Sequence, residues 1–91
     1  MKEIRVLGMF INDRVNNAAG IQSILSKYGC SIKTRLGLNE VIDEYSIEGG
    51  LILLELTGDR NEWLKLENEL LSIDNLEVQK MEFNLYQASE A

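Results

Sequence analysis

Residues 51–71, LILLELTGDRNEWLKLENELL, pass from a strand pattern to a helix pattern within one short turn, and that change decides the fold. Residues 51–57 are apolar at odd and even positions alike, as in a strand with neighbours on both sides. Gly58-Asp59 then interrupts the run. Asp59 and Glu62 have the spacing of a capping box, although that box normally opens on Ser or Thr. Trp63, Leu66, Leu70 and Ile73 follow at steps of three, four and three, one apolar stripe along an amphipathic helix.

The same punctuation continues in both directions. Downstream, Asp74-Asn75 makes a turn and residues 76–83 form a strand whose phase breaks at Gln79-Lys80, which predicts a bulge there. Upstream, residues 39–50 are polar and end in Glu48-Gly49-Gly50, a loop. Before it, Ile32, Thr34 and Leu36 alternate with Lys33 and Arg35, a strand with one buried and one wetter face. Asn12-Asp13 offers an N-cap to a helix reaching Tyr28, with a stripe of Ala18, Ile21, Leu25 and Tyr28 widened by Val15 and Ile24. Gly29 stops it. Residues 4–11, IRVLGMFI, are again apolar on both faces.

The order is β-α-β-β-α-β, an α+β ferredoxin-like sandwich: a four-stranded antiparallel sheet with two helices on one face. In that topology the first and third strands are central, and they are the ones without alternation, so pattern and topology agree. Residues 1–84 make a single domain, and 85–91 a tail.

Two helices cover one face of such a sheet and leave the other open. With Ile52, Leu54 and Leu56 under the helices, Leu51 and Leu53 point the other way. With Ile4, Val6 and Phe10 likewise inward, Leu7 and Met9 join them on the open face, together with Ile11; reversing a strand's phase only exchanges one apolar set for another. Four to six large apolar side chains there exceed what a monomer usually exposes, so Leu7, Met9, Leu51 and Leu53 are the expected contacts of a homo-oligomer, a dimer or tetramer joined through this face. The alternative is that Tyr86 and the tail fold back over it.

Composition removes several function classes. Nine basic and fifteen acidic residues give a net charge of −6, against direct nucleic-acid binding. There is no His and one Cys, so no disulfide framework, a poor donor set for transition metals, and no base to activate a nucleophile. Cys30 reads as a buried small apolar residue. The acids of residues 40–48 lack EF-hand spacing, Gly49-Gly50 precedes a strand rather than a phosphate-binding helix, and no catalytic set, metal or cofactor is expected. No apolar run approaches the ~20 residues that cross a bilayer, and the start carries no leader pattern, so a soluble cytoplasmic protein is expected.

Two places remain. The turn after the first strand, with Asp13, opens a helix whose N-terminal amides suit an anion, or is a plain N-cap. At the end of the second strand, Arg35 is expected on the open face opposite Leu36, near the rim of the interface, with Gly37 and Asn39 beside it. Arg35 there serves either a cross-subunit pair with Glu55 or the acid group of a ligand.

At these residues the chain resembles the small ACT-like proteins known as iron-only hydrogenase system regulators. The likeness is carried by INDRVNNAAGIQSILSKYG and IKTRLGL within residues 11–38, and by GGLILLELTGDRNEWLKLENELLSIDNLEVQKMEF, residues 49–83. It implies a ferredoxin-like domain of the kind found in ACT domains and in the ligand-binding half of nickel-responsive repressors, assembling through sheets and binding small molecules between subunits. The Asp-x-Pro-Gly turn typical of ACT domains is here Asp13-Arg14-Val15-Asn16, and the His and Cys ligands of the nickel regulators are absent. The resulting expectation is a regulatory module binding a small anionic or amino-acid-like ligand, through Asp13, Arg35, Gly37 and Asn39, or a partner protein. The alternative is a structural interaction subunit with no ligand.

Overall fold

Residue pattern translates into the following elements: β1 (Lys2–Ile11), α1 (Arg14–Lys27), β2 (Ile32–Leu38), β3 (Val41–Ile42), β4 (Tyr45–Ser46), β5 (Gly50–Leu56), α2 (Arg60–Leu71) and β6 (Leu76–Leu85). They come from a computed structural model that describes residues 2–12, 14–38, 41–42, 45–46 and 50–86. The main sheet has the order β2-β5-β1-β6, antiparallel throughout, which is the ferredoxin-like arrangement. The stretch expected as a plain loop holds a two-stranded piece, β3 with β4, where Val41, Ile42 and Tyr45 supply β-forming residues.

One core lies between sheet and helices. Ile21 and Leu25 of α1, Tyr28 just after it, and Trp63, Leu66 and Leu70 of α2 pack on Leu7, Met9 and Ile11 of β1 and Ile52, Leu54 and Leu56 of β5. Asp59 caps α2 by accepting from the Asn61 amide at 2.9 Å. Gly58, at φ 82°, makes the left-handed turn that lets the chain leave β5 for that cap. The Trp63 indole Nε1 donates to the Thr57 carbonyl at 2.8 Å, holding the helix start onto the strand end. At the other end, Asn12 and Asn17 side chains donate to the Asn75 and Asp74 carbonyls, tying α1 to the turn before β6.

The phase of β1 is the reverse of the one expected. Leu7 and Met9 are wholly buried beneath the helices, and Ile4, Val6, Gly8 and Phe10 face the open side. Arg5 shares that phase. A sequence reading keeps a guanidinium out of the core, but this one is buried at 1 % exposure with acids around it, its Nε and Nη1 without a hydrogen-bond partner. Its Nη2 meets Glu3 at 2.7 Å and Glu82 at 3.5 Å, its Nη1 lies 3.9 Å from Glu67, and its head stacks 5.7 Å from the Trp63 ring centre. Strand alternation puts Arg5 on the same side as Leu7, Met9 and Ile11, whose burial favours that phase.

The expected bulge is also on a different strand. β6 pairs with β1 without interruption from Leu76 opposite Ile11 to Leu85 opposite Lys2. Its apolar residues change sides instead: Leu76 and Val78 pack on the core, whereas Met81, Phe83 and Leu85 lie on the open face. Beyond the footprint of the apolar core, Lys80 and Glu82 take the helix side, where Glu67 and Arg5 receive them. The register shift falls in β2, between Ile32 and Thr34.

Candidate functional site

That shift decides where Arg35 points. Ile32 is opposite Leu56 and packs against the core, but Thr34 is opposite Glu55 and Leu36 opposite Leu53, both on the open face. Lys33 is the extra residue. Arg35 therefore comes opposite the buried Leu54 and Gly37 opposite the buried Ile52, so Arg35 stands on the helix side of the sheet and not at the rim of the open face. The expectation of a cross-subunit Arg35–Glu55 pair fails for the same reason. Glu55 instead accepts from Thr34 Oγ1 at 3.2 Å and lies 3.7 Å from Lys33 Nζ.

On the helix side Arg35 and Gly37 border a groove of about 290 Å³ between α1 and the ends of β2 and β5. Ile11, Ile21 and Ile52 supply apolar surface, and Gln22 joins Arg35 as a polar wall. A Cβ placed on Gly37 would meet nothing within 4 Å, so the space above it is the groove itself. Gly50, the buried first residue of β5, lines the groove too and presents backbone without a side chain in front. Among the described residues, Arg35 and Lys2 are the cationic side chains with no carboxylate within ion-pair distance; the others with described side chains are matched, as Lys27 is to Glu69 at 3.1 Å. A trough of mixed polar and apolar lining with an uncommitted guanidinium at its edge has the chemistry to hold a small molecule with an acidic head and a short apolar body.

Asp13 and Asn39 lie outside the described residues, so two of the four expected contacts are brought together here and two are not placed. Of the four expected interface residues, Leu51 and Leu53 are on the open face, while Leu7 and Met9 are core. Their places are taken by Ile4, Val6 and Phe10, with Leu36, Met81, Phe83 and Leu85 from the edge strands. Phe83 is 51 % and Leu36 49 % exposed, and Tyr86, at 71 %, does not fold over the face. Cys30 is exposed as a free thiol, because the short 3-10 helix Gly29–Ser31 turns Ser31 inward in its stead. Among the described residues no group of three or more His, Cys, Asp or Glu side chains could hold a metal ion. No helix among them is long and apolar enough to cross a membrane.

A second polar cluster joins the helices. The Tyr28 hydroxyl donates to Glu69, and Lys27 Nζ lies 3.1 Å from the same carboxylate. The Tyr28 hydrogen bond first, and then Lys27, hold the Glu69 carboxyl below the ordinary carboxylate range. Glu69 in turn raises the Tyr28 phenol and the Lys27 amine, in each case chiefly through its hydrogen bond.

No family model and no curated protein matches the sequence. Solved structures do. An uncharacterised protein of Thermotoga maritima, TM1266, superposes with a TM-score of 0.76 at 19 % identity, over 91 % of this chain and 100 % of that one. CPII of Thiomonas intermedia K12, a nitrogen regulatory PII-like protein bound to ADP, AMP and bicarbonate, gives 0.59 at 8 % identity, over 94 % and 93 % of the two chains. A formyltetrahydrofolate deformylase of Pseudomonas putida KT2440 gives 0.51 at 7 % identity, with 86 % of this chain covering 28 % of that one. Such likenesses establish the fold, and the fold is one that hosts many functions.

Proposed function

We propose that the chain is a regulatory module of the ACT-like, iron-only hydrogenase system regulator type, which binds a small anionic ligand in the Arg35 groove and assembles through its open sheet face. The observation that carries the ligand reading is the uncommitted Arg35 at the edge of a half-apolar trough bounded by Gly37 and Gly50. Its fit to an acidic head is electrostatic and geometric: a guanidinium takes a carboxylate or phosphate in a fork of parallel hydrogen bonds. The ligands held by the PII-like neighbour, two nucleotides and bicarbonate, support placing small anions of several sizes in the same search. In this reading the module performs no chemistry. Its role is to couple ligand occupancy to the way copies, or a partner protein, pack against it.

The test is a titration followed by amide chemical shifts, using amino acids, small carboxylic acids, AMP, ADP and bicarbonate as probes. Binding is expected to move the signals of Gly37, Gly50 and Gln22 together. Arg35→Ala should weaken it by roughly tenfold or more, one charge-assisted contact's worth. If no probe shifts those signals up to about millimolar concentration, a weak-affinity limit of about −4 kcal/mol, the ligand reading falls. The second reading, an interaction subunit without a ligand, then stands on the exposed apolar face alone.

A further inference from the structure

The middle of the open face is a pit. Gly8 lies halfway along the central strand β1, between Leu53 of β5 and Gln79 of β6. Around it Phe10, Leu51, Gln79 and Met81 enclose a depression of about 330 Å³.

Nothing inside the chain demands a glycine there. A Cβ on Gly8 would sit 3.5 Å from Leu53 Cδ2 and 3.9 Å from the Gln79 carbonyl, both ordinary contacts. Its backbone is not left-handed; among the described glycines only Gly58 has a positive φ. Strand propensity argues against glycine in such a place, where it commonly marks the close approach of something from outside. At the rim, Gln79 Nε2 donates to Glu77 Oε1 at 3.0 Å, which holds these two polar side chains to each other beside the pit.

The same face carries a ridge to match. Met81 stands beside Val6 and Phe83 beside Ile4, with Met81 48 % and Phe83 51 % exposed. A surface that holds both a pit and a ridge has what an isologous contact needs, the same patch used twice. Its size is sufficient as well. Strands of seven to ten residues in a four-stranded sheet make a face of roughly 450–600 Å², so two faces together bury on the order of 1,000 Å², the threshold for a specific interface.

We infer that the Gly8 pit is the socket of a self-association interface: a second copy of this chain lays its open face on this one and seats an apolar side chain of its Met81–Phe83 ridge in the pit. The inference rests on the assembly part of the function proposed above and adds the element that fixes how the two faces register.

Sedimentation velocity over about 0.1–100 µM, a span of about 4 kcal/mol in binding free energy, tests it on the full chain with the wild type, Gly8→Ala and Gly8→Val. Urea unfolding of each, at dilutions that dissociate any assembly, reports the single copy. The wild type should associate, Gly8→Val should do so at least tenfold more weakly with an undiminished urea midpoint, and Gly8→Ala should fall between. A wild type that stays monomeric overturns the assembly reading and the socket together. An associating wild type whose Gly8→Val variant associates equally well overturns the socket and leaves the assembly reading in place. Should the valine variant not fold, the alanine variant decides, since its methyl meets only ordinary contacts; association at the wild-type strength again overturns the socket.

Discussion

Arg5 shows what a buried guanidinium on a central strand gathers around it. Its guanidinium lies against Trp63 and is reached by Glu3, Glu67 and Glu82, so acids face the charge where it is buried, while its Nε and Nη1 find no hydrogen-bond partner. Removing the guanidinium empties a buried volume beside Trp63 and takes one cation from part-buried acids, although Glu3 keeps Arg60 at 3.2 Å and Glu82 keeps Lys80 at 3.5 Å. Arg5→Ala should therefore lower the unfolding free energy by about 3 kcal/mol in urea titrations. Glu67 keeps Lys80 at 3.3 Å in the variant, which holds the loss toward the lower end. A loss below about 1 kcal/mol, the level of an exposed pair, would mean that the guanidinium is not buried among acids as described. Gly37 is informative in the other direction. A leucine there enters open space, so Gly37→Leu should leave thermal stability within about 0.5 kcal/mol of wild type while abolishing the amide shifts of ligand binding. Equal binding by Gly37→Leu would move the site away from the groove.

Between elements, the Lys27–Tyr28–Glu69 cluster joins the end of α1 to the face of α2, and it makes that junction sensitive to pH. Glu69 titrates below its ordinary value when folded, so what it adds to stability is complete above that value and disappears as pH falls through the lowered one. Tyr28 and Lys27 titrate above their ordinary values of 10.0 and 10.5, so their share is complete below those values and disappears in strong alkali. The difference in urea midpoint between wild type and Tyr28→Phe should accordingly hold steady from about pH 6 to 8 and close as pH approaches about 3. A difference that persists unchanged to pH 3 would assign it to the hydroxyl's contacts other than the charged Glu69 carboxylate. The elements themselves were legible in the sequence because periodicity survives in any environment: both helices and the four strands of the main sheet stand where apolar spacing puts them. Facing was less legible. The phase of β1 buries Arg5 beside acids 62 and 77 positions away, and that of β2 depended on a shift at Lys33 that leaves no mark in composition. Both signals were present as an arginine inside an apolar run and a strand that alternates one residue too long. Neither has a unique reading without the partners. The groove was hidden for the same reason, since Arg35 enters it only after the shift.

At the scale of the whole molecule, a chain with a net charge of −6 carries a largely apolar face on one side, with Glu55 and Glu77 on it. Two such copies repel at long range and attract on contact, and salt affects only the first of these. Raising ionic strength from about 10 to 150 mM shortens the screening length from about 30 to 8 Å and should tighten self-association. An assembly loosened by salt would be held by ion pairs instead. Association also links stability to concentration, because the associated form is folded and the unfolded chain is not associated. The melting temperature should therefore fall on dilution from about 50 to 0.5 µM, by the few degrees that about 1–2 kcal/mol represents in a domain of this size. A melting temperature independent of concentration would place the folded monomer alone in solution.

The shift in β2 has one more consequence, in the currency of chain length. Ser31 accepts from the Thr57 amide and Ile32 lies opposite Leu56, whereas from Thr34 onward every pair is displaced by one. The strand is thus one residue longer than its ladder requires, and the surplus is Lys33. Deleting a residue from a strand ordinarily turns everything beyond it inside out. Deleting Lys33 should do the reverse: Ile32 stays opposite Leu56, Thr34 stays opposite Glu55, and Arg35 stays over the groove, now in an unbroken ladder. Among the positions of this edge strand, it is the one where the gene can lose a codon and keep its sheet, and a one-residue gap there in other chains of this fold would be the trace of that freedom.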